Sequence, residues 1–225
     1  MLPFDPESLC RQCNVPDPAD FVSRSARLYE LLNAANRKTN LTRIQSENDY
    51  WIKHVADSLL IAEYFPKLAS EALRIADIGC GAGFPSLILA AAFPALRITA
   101  IDSIGKKTNF VKDAAAALEL ANIEVITGRA RELNRQADYI RRFDVVTARA
   151  VSDLRSLFRE SRNFVKPDGQ FIFFKTPEQA AKELPEAQND ARKYAVRRAQ
   201  TEIFSLPGDS GRRLFVYSYK CLNSS

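Results

Sequence analysis

Up to residue 70 the apolar positions recur at helical spacing. Phe21, Leu28, Leu31 and Leu32 fall on one stripe between Asp20 and Asn36. A second helix is expected to begin near Asn48, whose side chain suits a cap, and to run to about Tyr64, with Pro66 just beyond. From residue 74 short apolar runs alternate with amphipathic stretches. Arg74–Ile78, Arg97–Ile101, Ile123–Ile126, Phe143–Ala148 and Gln170–Phe174 read as strands. Phe84–Ala92, Lys106–Leu118, Asp153–Asn163 and Glu178–Lys193 read as helices. Strand–helix alternation of this kind predicts βαβ units and a mostly parallel sheet. Two β-rich stretches close the chain, Tyr194–Phe204 and Arg213–Tyr219, around the turn Pro207-Gly208-Asp209-Ser210-Gly211. They predict an antiparallel hairpin at the sheet edge. No repeat or linker interrupts the pattern, so residues 1–225 are expected to form one α/β domain, with a helical extension over 1–70 and a core over 71–225.

Composition narrows the class. The 225 residues are 46% hydrophobic and 26% charged, as in ordinary globular proteins. No apolar run is long enough to span a bilayer. The start, Met-Leu-Pro-Phe-Asp-Pro, has acids where a secretory signal has positive charge, so a cytoplasmic protein is expected. A net charge of +5 mildly favours a polyanionic partner. Cys10-Arg-Gln-Cys13 is a CxxC without a second pair, and His54 is the chain's one histidine, so no metal site is expected. Cys10, Cys13, Cys80 and Cys221 read as free thiols.

Candidate chemistry begins at Asp77-Ile78-Gly79-Cys80-Gly81-Ala82-Gly83-Phe84-Pro85. A strand enters a GxGxG turn and a helix leaves it. Glycines let the backbone turn tightly and approach a ligand. A dinucleotide fingerprint is GxGxxG; here the third glycine comes one position early and Phe84 stands in its place. The turn better suits S-adenosylmethionine, which has no phosphate but needs an acid for its ammonium group, a role open to Asp77. Asp102 ends the second strand, where a carboxylate can accept both ribose hydroxyls. That feature suits a nicotinamide cofactor equally.

Taken together, Asp77–Pro85, Ile101–Lys107, Gly128–Glu132 and Phe143–Ala150 resemble the bacterial small-subunit ribosomal RNA (16S) guanine-N7 methyltransferase G family, also called glucose-inhibited division protein B. Asn40-Leu41-Thr42 and His54–Leu59 match its N-terminal pattern. The resemblance spans roughly residues 36–175. It implies a Rossmann-like class I methyltransferase fold, S-adenosylmethionine as cofactor, and methylation of guanine N7 in 16S ribosomal RNA, within the small ribosomal subunit and by a monomer. It carries cofactor contacts onto Gly79, Phe84, Ala130, Arg131 and Arg149, beside Asp77, Gly81 and Gly83 from the turn itself and Asp102 at the end of the second strand. Ala130 and Arg131 are expected to offer backbone groups to the adenine edge. Arg149, at the end of the fourth strand, is expected to meet the methionine carboxylate or an RNA phosphate, with an ion pair to Asp153 as the structural alternative. The chain departs from the family pattern at Arg131, often an acid, at Ser86, commonly glycine, and at Cys80, commonly a small hydroxyl residue.

Guanine N7 carries a lone pair and no proton. Attack on a sulfonium methyl therefore needs no general base, and no catalytic acid or base is assigned; His54 is expected to pack or to bond Asp57 or Ser58. Phosphates flanking the target are expected to meet basic residues, with Arg37, Lys106, Arg149, Arg197 and Arg198 foremost and Lys38, Arg43, Lys107, Arg212 and Arg213 as further candidates. The alternatives are a methyltransferase for another RNA or a small molecule, a nicotinamide-dependent oxidoreductase, and a non-catalytic RNA-binding module.

Overall fold

The computed structural model describes residues 2, 4–44, 46–191 and 196–220, without the side chains of 188–191, 196–198, 219 and 220. Helix α1 (Pro6–Gln12) is capped by Asp5, and α2 (Pro18–Thr39) by Asp17. In α2, Phe21, Ser25, Leu28 and Leu32 form the buried stripe, and Asn40 ends the helix in a left-handed conformation.

The next segment departs from the single helix expected. Ser46, not Asn48, caps it: Ser46 Oγ accepts the Asp49 amide at 3.1 Å. The segment then breaks into α3 (Glu47–Tyr50), a π-helical turn (Trp51–Ala56), α4 (Asp57–Leu59) and α5 (Ile61–Tyr64), before α6 (Lys67–Ser70). Single π turns inside helices are frequent at functional sites. This one buries His54 and delivers Asp57 immediately after its last residue.

The strands are β1 (Arg74–Ile78), β2 (Arg97–Asp102), β3 (Ile123–Thr127), β4 (Phe143–Arg149) and β5 (Val165–Lys175). Between them run α7 (Ser86–Ala92), α8 (Gly105–Ala117), α9 (Ala130–Leu133) and α10 (Leu154–Ser161); α11 (Pro177–Ala191) follows β5. Strands β6 (Val196–Gln200), β7 (Phe204–Ser205) and β8 (Arg212–Lys220) close the fold. Tyr194, the expected start of the sixth strand, lies outside the described residues, as do Lys193 and Cys221. The sheet order is β3-β2-β1-β4-β5-β8-β6. The first five strands pair parallel, and β8 pairs antiparallel with β5, β6 and β7. This is the α/β architecture read from the sequence, its edge hairpin included.

Apolar side chains cover both faces, as a parallel sheet requires. Along β5, Phe171 and Phe173 join a cluster with Leu154, Leu157 and Phe158 of α10, while Ile172 and Phe174 join the opposite cluster with α2 and α7 residues. The N-terminal helices thus share one continuous apolar cluster with the sheet. Strand order reverses between β1 and β4. In open α/β sheets ligands bind at the carboxyl ends of the strands at such a reversal.

Candidate active site

The glycine turn leaves β1 and Arg149 ends β4, so both stand at that reversal. The turn is built by backbone geometry. Gly79 has φ +69° and donates its N–H to Ile101 O at 2.7 Å. A Cβ there would sit 2.5 Å from Val151 Cγ2, so the residue after Ala150 closes directly over the turn. Gly83 has φ +92°, and a Cβ on it would strike Leu87. Gly81 instead has nothing nearer than 4.0 Å where a side chain would stand.

Two carboxylates flank the turn. Asp102 Oδ2 accepts the Gly81 amide at 3.0 Å and Oδ1 the Ile104 amide at 2.8 Å, so it ties the glycine turn to the start of α8. Each carboxylate oxygen keeps further acceptor capacity. Asp77 is buried; Ser86 Oγ donates to its Oδ2 at 2.5 Å, and its Oδ1 has no hydrogen-bond partner among the described residues. Burial pushes the Asp77 carboxyl up to about 6 against the lowering effect of the Ser86 hydroxyl. Ser86, one of the three departures from the family pattern, thus touches the acid itself.

Asp153 caps α10, and Arg149 bonds the helical segment instead. Its Nη1 donates to Asp57 Oδ2 at 3.0 Å and to Lys53 O at 2.7 Å, and its Nη2 to His54 Nδ1 at 3.0 Å. Because Nδ1 accepts, the His54 proton sits on Nε2 and is donated to Thr42 Oγ1 at 3.2 Å. The expected His54 bonds to Asp57 or Ser58 are replaced by this Arg149–Thr42 bridge. The His54 ring stacks on Phe84 at 4.0 Å between centroids. Burial and the nearby Arg149 charge lower its pKa to about 2, so the imidazole is neutral. Its lone pair is committed, and it has no base function to offer.

Around these residues lies a cavity of about 440 Å³ lined by Gly79, Gly81, Phe84, His54 and Arg149. Five cationic side chains line it, Lys53, Lys107, Arg149, Lys175 and Arg213, against one carboxylate, Asp57. A larger concavity of about 840 Å³ opens at the amino end of the sheet, among Arg97, Asn122 and Arg142. It lies away from the glycine turn and from the strand ends where this fold binds ligands.

The structure gathers Gly79, Gly81, Phe84 and Arg149 on one cavity. Asp77, Gly83 and Asp102 support that wall from behind. Ala130 and Arg131 open α9, whose first-turn N–H groups have no side-chain cap; the Arg131 side chain lines a different concavity. Arg37 is exposed at the end of α2. Lys106 Nζ donates to Thr39 O at 3.1 Å and so satisfies the end of α2, while its neighbour Lys107 reaches the cavity. Arg197 and Arg198 sit in β6, and their side chains lie outside the described residues. Sequence reasoning missed Thr42, Asp57 and Lys175 as cavity residues. Lys175 carried a usable signal, being the polar residue that ends β5. Cys10 and Cys13 are free and buried, and burial raises their thiols to about 11 and about 12.

Known proteins resemble this chain in sequence and in fold. The family model described as rRNA small subunit methyltransferase G matches residues 23–211. Proteins named ribosomal RNA small subunit methyltransferase G are similar over most of the chain. The one from Leuconostoc mesenteroides is 37% identical over 88% of this chain and 83% of its own. The one from Staphylococcus carnosus is 39% identical over 84% and 78%. Among solved structures, a SAM dependent methyltransferase from Aquifex aeolicus aligns over 71% of this chain and 88% of its own, with a TM-score of 0.53 at 16% identity, and shares the fold. M. jannaschii TYW2 in complex with AdoMet aligns over 71% and 74%, with a TM-score of 0.51 at 16% identity. With the family model matching residues 23–211 and relatives 37% and 39% identical over most of its length, the chain belongs to the rRNA small subunit methyltransferase G family.

Proposed function

We propose that this protein methylates N7 of a guanine in 16S ribosomal RNA, with S-adenosylmethionine as methyl donor. The observation that carries the reading is the cationic lining of the cavity beside the glycine turn, where Lys53 pairs with Asp49, Lys175 with Glu183, and Arg149 and Arg213 with Asp57, while Lys107 and the remaining Arg149 N–H groups face the cavity. Such a surface suits a substrate that brings phosphates. The relatives' names supply the ribosomal target.

The residues fit the cofactor. Asp77 Oδ1 is a buried acceptor without a partner among the described residues, suited to an ammonium group. Gly81 leaves open space where a side chain would otherwise stand. Asp102 retains lone pairs for ribose hydroxyls, and the first-turn amides of α9 at Ala130 and Arg131 suit the adenine edge. Arg149 spends three of its five N–H groups on Asp57, Lys53 and His54, which leaves two for a carboxylate or phosphate. S-adenosylmethionine supplies an electrophilic methyl group. The chain's part is to orient the guanine, hold its flanking phosphates and exclude water, which is proximity catalysis. N7 has no proton to lose, and the neutral, fully bonded His54 agrees with a site that removes none.

The reading carries a cytoplasmic setting, a target presented in the small ribosomal subunit, and the helical segment 1–70 working with the core 71–225 as one domain. It also takes the protein as a monomer. In support, the exposed large apolar residues among those described, Ile104, Ile140, Val151 and Ile203, come from four different connections. No described helix is long and apolar enough to cross a membrane.

The test is methyl transfer from labelled S-adenosylmethionine to small subunits lacking the modification, followed by nucleoside mass analysis. A 7-methylguanosine product that disappears with Asp77→Ala is the expected result. Cofactor binding without transfer would discard the ribosomal target. NADH binding in its place would discard the methyltransferase.

A further inference from the structure

A third concavity, of about 470 Å³, lies on the face covered by α9 and α10 and shares no residue with the cavity beside the glycine turn. Arg131, Arg135, Arg159 and Arg162 line it, with Glu160 as the one acid. The local folding explains why these side chains face outward. Ala130 and Leu133 are the buried positions of α9; Leu154, Leu157, Phe158 and Ser161 are those of α10. Arg131 and Arg159 occupy exposed positions of these helices, and Arg135 and Arg162 lie just past their ends, exposed as well. Asn134 Nδ2 donates to Glu160 O, and Asn163 Nδ2 donates to Asn134 O at 3.1 Å, so the two elements are fastened to each other beneath the charges.

Arginines at the end of α10 complement its dipole, and that alone accounts for Arg159 and Arg162. It does not account for Arg131 and Arg135, which come from another element and converge on the same hollow. Local acids do little to neutralise Arg131 and Arg159. Arg131 and Arg159 lie 3.8 Å from Glu132 and Glu160, and their side chains remain 55% and 69% exposed. Arg131 follows the carboxyl end of β3, on the edge that carries the glycine turn. Arg162 lies at the opposite edge, where Asn163 O receives the Arg141 amide at 2.7 Å just before β4 begins. The positive charge therefore lies on the flank of the domain formed by α9 and the end of α10. Guanidiniums bind phosphate oxygens in paired hydrogen bonds.

We propose that the concavity formed by Arg131, Arg135, Arg159 and Arg162 is a second phosphate-binding surface that grips the RNA backbone away from the target guanine. The proposal rests on the reading of the protein as an RNA methyltransferase. Its test is equilibrium binding of protein-free 16S RNA over a series of salt concentrations, with wild type, Arg135→Ala/Arg159→Ala and Arg135→Lys/Arg159→Lys. Methyl-transfer kinetics on the same RNA and on small subunits accompany it. Each phosphate that the protein ceases to neutralise should reduce the slope of log affinity against log salt by about 0.7–0.9. The alanine pair should lower the slope by about two such steps and raise KM for RNA. It should leave kcat, cofactor affinity and melting temperature as in wild type, and the lysine pair should retain most of the slope. An unchanged slope with the alanine pair overturns the proposal. So does a loss confined to assembled subunits, which would make the surface a docking site for a ribosomal protein. Wild type that binds RNA but transfers no methyl group would overturn the enzymatic reading alone, since the slope is measured without turnover.

Discussion

Arg149 at the end of β4 meets Asp57 on the N-terminal helical segment, Nη1 to Oδ2 at 3.0 Å across 92 residues of chain, with the two side chains 13% and 4% exposed. The other Asp57 oxygen lies 3.2 Å from Arg213 Nε, so one buried carboxylate holds cations from β4 and β8 against the helical segment. Removing one partner of a buried pair costs about 3–5 kcal/mol, because the remaining charge stays buried without compensation. Asp57→Ala is therefore expected to lose that much in denaturant unfolding, and Asp57→Asn less. A loss within the surface range of about 1 kcal/mol or below would show that solvent already screens the pair.

Gly79 and Val151 form a second coupling that unfolding and cofactor titration can read. Gly79→Ala carries two penalties, the left-handed φ of +69° and a Cβ against the Val151 methyl groups. The conformational part is about 1–2 kcal/mol and belongs to position 79 alone. The steric part belongs to the pair. Adding Val151→Ala to Gly79→Ala should restore part of the stability, and the remaining deficit should match the conformational cost. Strict additivity of the two changes would mean that the loop after β4 does not rest on the turn.

Much of this site was legible in the sequence, and the reasons are local. A glycine turn after an apolar run and an acid at a strand end are read within a few residues, so Asp77, Gly79 and Asp102 stand out directly, while Arg149 is reached through the family resemblance. What escaped depends on packing between distant segments. No periodicity announces that Asp57 joins Arg149 to Arg213, or that Lys106 satisfies the end of α2 while Lys107 turns to the cavity. The helix expected near Asn48 differs in two ways. Ser46 and Asn48 are both capable caps, and only geometry selects Ser46. The π turn over Trp51–Ala56 shifts the hydrogen-bond ladder by one residue without changing the composition. Lys175 escaped because the apolar run ends at Phe174, one residue short of the end of the strand.

His54 gives a prediction with a definite sign. Its folded pKa is lowered from 6.5 to about 2, mainly by burial and then by Arg149. Its contribution to stability is present above pH 6.5 and is lost as pH falls toward the folded value, at about 1.4 kcal/mol per pH unit. The difference in unfolding free energy between wild type and His54→Gln should therefore drift by that amount per unit below pH 6.5 and stay level above it. Nitrogen chemical shifts should show an Nε2-protonated, neutral ring for as long as the protein remains folded. An imidazolium signature near the ordinary histidine pKa would contradict the bridge to Arg149 and Thr42.

Asp77 behaves in the opposite sense, and Ser86 sets how strongly. Burial raises the carboxyl from 3.8 to about 6, while the Ser86 hydroxyl, 2.5 Å away, opposes the rise. The folded state holds its proton longer than the unfolded chain does. Stability from this group is thus full below pH 3.8 and is lost as pH rises through about 6. Asp77→Asn should be free of that loss and gain on wild type across the window. Ligand binding reverses the preference, since a carboxylate that meets an ammonium group must be ionised. Affinity for S-adenosylmethionine should fall about tenfold per pH unit below the Asp77 pKa, with one proton released per cofactor bound there. Ser86→Ala removes the donor that favours the charged form, so the break should move to higher pH while affinity well above it changes little. Calorimetry in buffers of different ionisation heat measures both the break and the proton count. A pH-independent affinity in wild type, with no proton released, would show that Asp77 is not the ammonium partner, and its buried oxygen would then serve the turn alone.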